Sequence, residues 1–429
     1  MGEHTGGHRL LIYSQDGLGL GHLRRTSLLA GTFLEAVPGG SVLTVSDSPM
    51  GQFFDMADGH DSLKLPSIRK ISPGNWSPVS LGLSFAEVLR LRQETIRTAA
   101  AAFAPDVLLV DHMPHGAMGE LVPTLQALEG SRTRVVLGLR DILDAPATIR
   151  QRWRLEGAFE AVEEYFDDVL VYGSQEVFDV ATQYAWPTHL AERLHYCGYV
   201  CAPAEPVDAA LVRRRYLRHR SRGRLVVAMA GGGADASGLF ETLLRTVPLL
   251  RAEHRCVVVL VTGPFLPAPE RARLARLADG LPVHLLSTVK DSASYLAAAD
   301  LVVAMAGYNT TAEILSLGAN ALLVPRPGPS AEQQMRARRF ADRGWVRWVR
   351  PDALAPEALA ATMAAALDDP AGDRRAAGRP APDLHGRQRA AAMLLDRATG
   401  GALDGLAADL SLATAPALAT ETVPLIGGA

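Results

Sequence analysis

Two short stretches of the 429-residue chain hold most of the residues that could do chemistry. The first, YSQDGLGLGHLRRTSLL at 13–29, carries Gly17, Gly19 and Gly21, then His22, Arg24 and Arg25 where a helical pattern begins. Glycine lets the backbone approach a ligand with no Cβ in the way, and the N–H groups and dipole of a helix start suit an anion. His22 is of the type that takes a proton from a hydroxyl near neutral pH. The second stretch, MAGGGADASG at 229–238, puts Gly231, Gly232 and Gly233 before another helix, with Ser237 as a fair N-cap. Between them, VDHMPHG ends an apolar run on Asp111, a second candidate base with His112 and His115 beside it. The plainer alternative is that the glycines permit tight strand-to-helix packing and that His22 is polar surface.

The patterns exclude several classes. Glycines spaced G-x-G-x-G miss the dinucleotide fingerprint by one residue, although Asp47 at the next strand end imitates its ribose-binding acid. No G-x-x-x-x-G-K-[ST] occurs, which argues against a P-loop nucleotidase, and no D-x-D signals a metal-bridged diphosphate. One carboxylate beside two histidines at 111–115 is a poor metal set. A net charge of −3 gives no global field for nucleic acid. Three cysteines, Cys197, Cys201 and Cys256, fit no zinc spacing and point to a reduced compartment. The opening MGEHTGGH lacks a signal peptide's apolar run, and no apolar stretch reaches a spanning length. A cytoplasmic protein is expected.

Positioning falls to alternating β and α patterns. Strands are predicted at 9–14, 41–46, 106–111, 134–138 and 168–172, and helices at 22–36, 85–103, 117–128 and 148–166. Apolar runs without alternation fit a parallel sheet covered on both faces. After the Pro/Ala-rich passage near Tyr196 the pattern restarts with LVVAMAGGG. The expected architecture is α/β: a Rossmann-like domain at 1–198, a linker at 199–222, a second Rossmann-like domain at 223–393 and a low-complexity tail at 394–429. Both domains open with a strand, a Gly-rich turn and a helix, so two facing turns would frame a cleft at strand carboxyl ends.

The segment MAGYNTTAEILSLGANALLVPRPGPSAEQQMRARRFADRG at 305–344 resembles the donor-binding region of the MurG-like family 28 glycosyltransferases, and the D-x-L-G-L-G-H-L-R-R opening resembles a branch of predicted bacterial members. The layout matches over roughly 9–393, and the motifs are specific at 17–25, 231–235 and 307–334. The resemblance implies a GT-B fold of two facing doubly wound domains and inverting transfer of a hexose-type sugar from a nucleotide-diphospho sugar, in all expectation UDP-linked, with no other cofactor. It implies that Gly17, Gly19, Gly21 and Arg24 serve the acceptor side and that His22 is the family's acceptor-side histidine; because inversion needs a base to take the acceptor proton, His22 is the leading candidate and Asp111 the reserve. Gly231, Gly232 and Gly233 would hold the diphosphate, the main chain at Val289 would meet the base, and Gly307, Thr310 and Glu313 would frame the ribose, with Glu313 on its hydroxyls. Gln333 and Gln334 would reach the sugar. The sequence also offers structural readings: Thr310–Glu313 and Ser330–Gln333 are both capping-box patterns.

The acceptor is left open among a glycan, a lipid-linked species and a small natural product. The loop SIRKISPGNWSPVS at 67–80, with Arg69, Lys70 and Trp76, would allow peripheral membrane contact. Two rivals share the fold: a nucleotide-sugar hydrolase or epimerase, and a non-catalytic sugar-nucleotide-binding protein.

Overall fold

A computed structural model describes residues 7–15, 20–49, 56–72, 75–202, 208–217, 223–250, 254–370 and 381–400. Gly17, Gly19 and the tail from 401 on lie outside these residues, as does the side chain of Lys70.

The strands are β1 Arg9–Ser14, β2 Ser41–Ser46, β3 His60–Lys64, β4 Ile68–Ser72, β5 Asn75–Pro78, β6 Val107–Asp111, β7 Arg134–Arg140, β8 Asp168–Tyr172, β9 Leu194–Tyr196, β10 Arg224–Met229, β11 Cys256–Val261, β12 Val283–Leu286, β13 Leu301–Ala304, β14 Ala321–Leu323 and β15 Arg347–Trp348. The first sheet has the order β3-β2-β1-β6-β7-β8-β9 and the second β12-β11-β10-β13-β14-β15. All pairings within both are parallel. Strands β6, β8, β11 and β13 are buried throughout, as sheets covered on both faces require.

Topology decides where a ligand sits. From β1 the chain steps outward to β2 and β3, then returns to β6 on the other side, so the order reverses between β1 and β6. In the second sheet it reverses between β10 and β13. Crevices open at the carboxyl ends of strands at such switch points. The first crevice lies between the start of the Gly21–Ala36 helix and Asp111, the last residue of β6. The second lies between the 230–236 turn and Gly307.

Several expected boundaries move. The 148–166 helix is two, Pro146–Glu156 and Ala158–Tyr165, because Gly157 adopts a left-handed φ of 65° between them. The 117–128 helix is a short 3-10 turn, Ala117–Gly119, followed by Val122–Leu128. The 67–80 loop is an antiparallel hairpin, β4–β5. The 199–222 linker contains the helix Ala209–Leu217. A helix at Gly386–Ala398 runs through the expected 393/394 boundary and packs on the first domain, against the Gly21–Ala36 helix and β6–β8. Arg397 fastens it there, donating to both oxygens of Asp168 at 2.6 and 2.9 Å. The two chain crossings lie side by side: Tyr199 N donates to Asp383 O, and a Cβ on Gly386 would sit 2.3 Å from Gly198 O.

Side chains also lock the domains together. Arg336, fully buried, donates to both oxygens of Asp141 at 2.9 and 2.6 Å and to Ala306 O at 2.8 Å. The amide of Ala331 donates to Asp144 Oδ1 at 2.8 Å, and Arg140 pairs with Glu332 at 2.9 Å.

Candidate active site

A cleft of about 700 Å³ lies between the two switch points. From the first domain it is lined by Gly21, His22, Arg24, Arg25 and Arg140. From the second it takes Gly231, Gly232, Gly233, Val289, Gly307, Thr310, Glu313, Glu332 and Gln333.

The helix Gly21–Ala36 has no acidic residue in its first turn and instead opens with His22, Arg24 and Arg25. Cations at a helix N-terminus oppose the dipole, so this arrangement needs anions close by. Asp111 is one. Arg25 Nη2 donates to both of its oxygens at 2.8 and 2.7 Å, and Arg25 is itself held between the rings of Tyr172 and Tyr308. His22 Nδ1 lies 2.6 Å from Asp111 Oδ2. Burial would raise the Asp111 carboxyl, but the Arg25 charge and then His22 hold it well below the usual carboxylate range. An ionised Asp111 only accepts, so the short contact requires the proton on Nδ1. The 3.0 Å approach of Arg25 Nη2 to the same nitrogen is then a contact between donors. This tautomer leaves the basic lone pair on Nε2. The base and reserve base expected from the sequence thus form one dyad.

His112 flanks the dyad, its ring centroid 5.3 Å from that of His22. Burial first, then Arg140 and His22, push its imidazole well below the ordinary value. Its φ of 88° is strained for a non-glycine residue, and its amide donates to Gly138 O. Among the described residues, no group of three or more His, Cys, Asp or Glu is placed to hold a metal ion.

The glycines of 231–233 divide by role. Gly233, at φ 82°, is required by packing, because a Cβ there would meet Thr262 O at 1.8 Å. A Cβ on Gly232 would press on the Phe265 ring at 3.0 Å, whereas Gly231, at φ 61°, faces open space. Close ligand approach is therefore a reason for Gly231 rather than for all three. Ser237 is the first residue of its helix rather than the cap, and Asp235 pairs with Arg326 at 3.1 Å instead of capping.

Glu313 does not cap its helix. That helix runs Tyr308–Ser316 with Gly307 as N-cap and no side-chain cap bond, so the Thr310–Glu313 capping box is absent. The Glu313 carboxylate, almost fully buried, pairs with Arg24 from the other domain and accepts from Ser292 Oγ at 3.2 Å. Beside it, Asn309 Nδ2 donates to Gly21 O at 2.9 Å, a second bond across the cleft. Arg24 thus lies against the second domain's ribose candidate, which the acceptor-side expectation does not foresee.

The Ser330–Gln333 box is absent too. The helix Glu332–Asp342 has Ala331 as N-cap without a side-chain cap bond, and Gln333 Oε1 accepts from Arg326 N at 3.1 Å. Gln333 lines the cleft, but Gln334 turns away, its amide donating to Pro327 O at 3.2 Å. Glu332, which no sequence motif marks, takes the place beside Gln333. Arg140, Arg336 and Arg326 lower its carboxyl below the ordinary value against the effect of burial. The sequence carries a signal for this: relative to the family it resembles, one residue is inserted between Pro325 and the glutamine pair, which shifts the pair by one position.

Known proteins resemble the chain in keeping with this geometry. Residues 226–387 match the glycosyltransferase family 28 C-terminal domain. The UDP-N-acetylglucosamine–N-acetylmuramyl-(pentapeptide) pyrophosphoryl-undecaprenol N-acetylglucosamine transferase of Granulibacter bethesdensis is 32% identical over 197 residues, 45% of this chain and 50% of the relative. The enzyme of that name from Ralstonia nicotianae is 32% identical over 180 residues, 40% of this chain and 49% of the relative. The chain thus spans about half the length of these curated relatives. Among solved structures, the glycotransferase of kitacinnamycin superposes with a TM-score of 0.61 at 17% identity, covering 91% of this chain and 99% of that one. Acinetobacter baumannii MurG gives 0.55 at 14% identity, covering 91% and 99%. The chain therefore has the two-domain GT-B fold, and within it residues 226–387 are similar to the glycosyltransferase family 28 C-terminal domain.

Proposed function

We propose that the chain is an inverting, metal-independent glycosyltransferase that moves a hexose-type sugar from a UDP-linked donor to an acceptor hydroxyl. One observation carries the reading: His22, bonded to Asp111, lines the same cleft as Gly231 and Glu313. His22 Nε2 takes the acceptor proton as the acceptor oxygen attacks the anomeric carbon, and Asp111 stabilises the imidazolium. The sugar–phosphate bond breaks on the opposite face, and its electron pair leaves on the diphosphate. Backbone at Gly231 and the dipole of the Ser237–Leu250 helix stabilise that charge, the task a D-x-D metal performs elsewhere. Glu332 and Gln333 accept and donate hydrogen bonds to the sugar hydroxyls, and main chain at Val289 meets the base.

No helix among the described residues is long and apolar enough to cross a membrane. Ile71 on β4 is exposed, as are Val79, Leu81 and Leu83 after β5 and Leu91 on the Phe85–Phe103 helix, with Arg69 and Arg90 exposed on the same two elements; this supports peripheral contact of a cytoplasmic bacterial protein with an anionic lipid surface. A lipid-linked acceptor would suit that surface.

Product analysis tests the function. UDP release from UDP-sugars is followed with and without an extract containing candidate acceptors. Acceptor-dependent release is expected, and His22→Ala should keep donor binding while losing roughly 10²–10⁴-fold in transfer. Equal release without acceptor would make the protein a hydrolase, an inverted sugar on an intact nucleotide would make it an epimerase, and either result overturns the proposal.

A further inference from the structure

Both oxygens of Glu313 are already occupied by protein donors. Arg24 reaches from the first domain to Oε1, and Ser292 donates to Oε2. Arg24 Nη2 also donates to Ser292 Oγ at 3.0 Å, closing a three-residue cluster at the mouth of the ribose site. A ribose that uses both carboxylate oxygens meets the guanidinium on Oε1 and competes with it for that oxygen. The displaced cation cannot simply be abandoned, because an unpaired charge in a partly desolvated cleft is costly.

The other arginines lining the cleft are bonded elsewhere. Arg25 is bonded to Asp111, Arg140 to Glu332 and Arg326 to Asp235. Arg24 alone of the four is bonded to the carboxylate that the ribose would take. It is also placed in the first turn of a helix, where the dipole favours an anion. Burial, only partly offset by the Asp291 charge, brings its guanidinium down to about 10. The donor itself supplies the replacement anion, since its diphosphate enters the same cleft at Gly231.

Resting on the donor site proposed above, we infer that Arg24 is an exchangeable counter-ion that neutralises Glu313 in the empty protein and transfers to the donor diphosphate when the ribose takes Glu313. Ribose and diphosphate binding are then coupled through one side chain. A nucleoside alone must break the Arg24–Glu313 pair without compensating Arg24, whereas a nucleoside diphosphate breaks it and provides the new partner. The first domain would thereby sense the charge of the ligand, and nucleosides would be rejected by the cation they leave stranded.

Calorimetric titration with uridine and UDP tests this. On removal of the charge in Arg24→Gln, uridine should bind more tightly and UDP more weakly, each by roughly tenfold or more, the size of a charge-assisted contact. The ratio of the two affinities should therefore collapse. If both ligands shift in the same direction by the same factor, or neither shifts, the exchange is wrong while the donor site stands. A wild-type protein that binds no UDP would instead overturn the donor site itself, and the exchange with it. Should Arg24→Gln fail to melt cooperatively, Arg24→Met removes the same charge while keeping the methylene stem, and its affinity ratio is judged by the same outcomes.

Discussion

Replacing Asp111 by Asn separates the two tasks of its carboxylate, and both magnitudes follow from the geometry. Toward His22, Asp111 accepts one short bond at 2.6 Å that fixes the proton on Nδ1. An Asn amide can donate to Nδ1 instead, which favours the opposite tautomer and takes the lone pair away from Nε2. Where a His base loses its orienting carboxylate in this way, turnover falls by about 10⁴-fold. Toward Arg25, Asp111 is the counter-ion of a guanidinium that is 1% exposed. Stranding that charge should cost about 3–5 kcal/mol of stability. Two assays read these effects apart. Long-range ¹H–¹⁵N correlation spectra, recorded where His22 is neutral, should report the Nδ1–H tautomer in the wild type and Nε2–H in Asp111→Asn. Thermal melting should show a large loss in Asp111→Asn that is partly recovered in Asp111→Asn/Arg25→Met, where the stranded charge is gone, with no recovery of turnover. A wild-type His22 carrying its proton on Nε2 would refute the dyad, whatever the activity of the variant.

Further predictions concern stability, pH, metals and the membrane. Arg336→Met strands Asp141 at the domain interface and should lower stability by about 3–5 kcal/mol by thermal melting, with a smaller loss when Asp141→Asn is added; equal losses would show that the pair adds nothing beyond shape. Acid should destabilise in two stages, because groups whose folded values are depressed bind protons more readily when unfolded. His112 begins the loss as pH falls below about 6.5, and Asp111, Asp168 and Glu332 steepen it below about 4. A melting temperature that is flat from pH 7 to pH 3 would contradict these assignments. Transfer should persist in excess EDTA; loss restored by magnesium or manganese would overturn the role given to the glycine turn. The protein should sediment with anionic vesicles and release them on Ile71→Asp/Leu81→Asp, whereas unchanged sedimentation would remove the hairpin from the contact.

Much of the fold was legible because it is written locally. Strands β1, β2 and β8 and the Phe85–Phe103 helix fall on their expected residues, since continuous apolar runs and a 3.6-residue period need no long-range information. The Ser84–Glu87 capping box makes the start of that helix sharp. Misreadings occur where one residue overrides the pattern. Gly157 breaks a helix that periodicity continues, and the β4 and β5 segments are too short, at five and four residues, to stand out from a loop. The two false capping boxes are instructive for the site: Thr310–Glu313 and Ser330–Gln333 satisfy the motif, yet both helices start elsewhere, leaving Glu313 and Gln333 to the cleft. A one-residue shift turns a helix face by about 100°, enough to exchange Gln334 for Glu332 beside Gln333.

The features that the sequence could not place share a cause: each depends on how elements far apart in the chain meet. His22 and Asp111 were both recognised, but nothing local says that strands β1 and β6 are neighbours and bring them to 2.6 Å across 89 residues. Arg24 was assigned by its domain, while its partner lies 289 residues away in the other domain. One local signal was nevertheless present. A helix that begins with His22, Arg24 and Arg25 and has no acidic residue in its first turn contradicts the dipole rule, and such a contradiction persists only where something repays it. Asp111 repays it on one side and Glu313 on the other, so the sequence-level conflict marks the point where both domains and the reacting groups converge. The same reasoning links the two cations. Arg25 is fixed, buried between two tyrosine rings and bonded to the dyad carboxylate, whereas Arg24 is 28% exposed and bonded to a carboxylate that a ligand would claim. Adjacent residues of one type on one helix therefore divide the work: Arg25 keeps the base in its working tautomer, and Arg24 is the charge that can move.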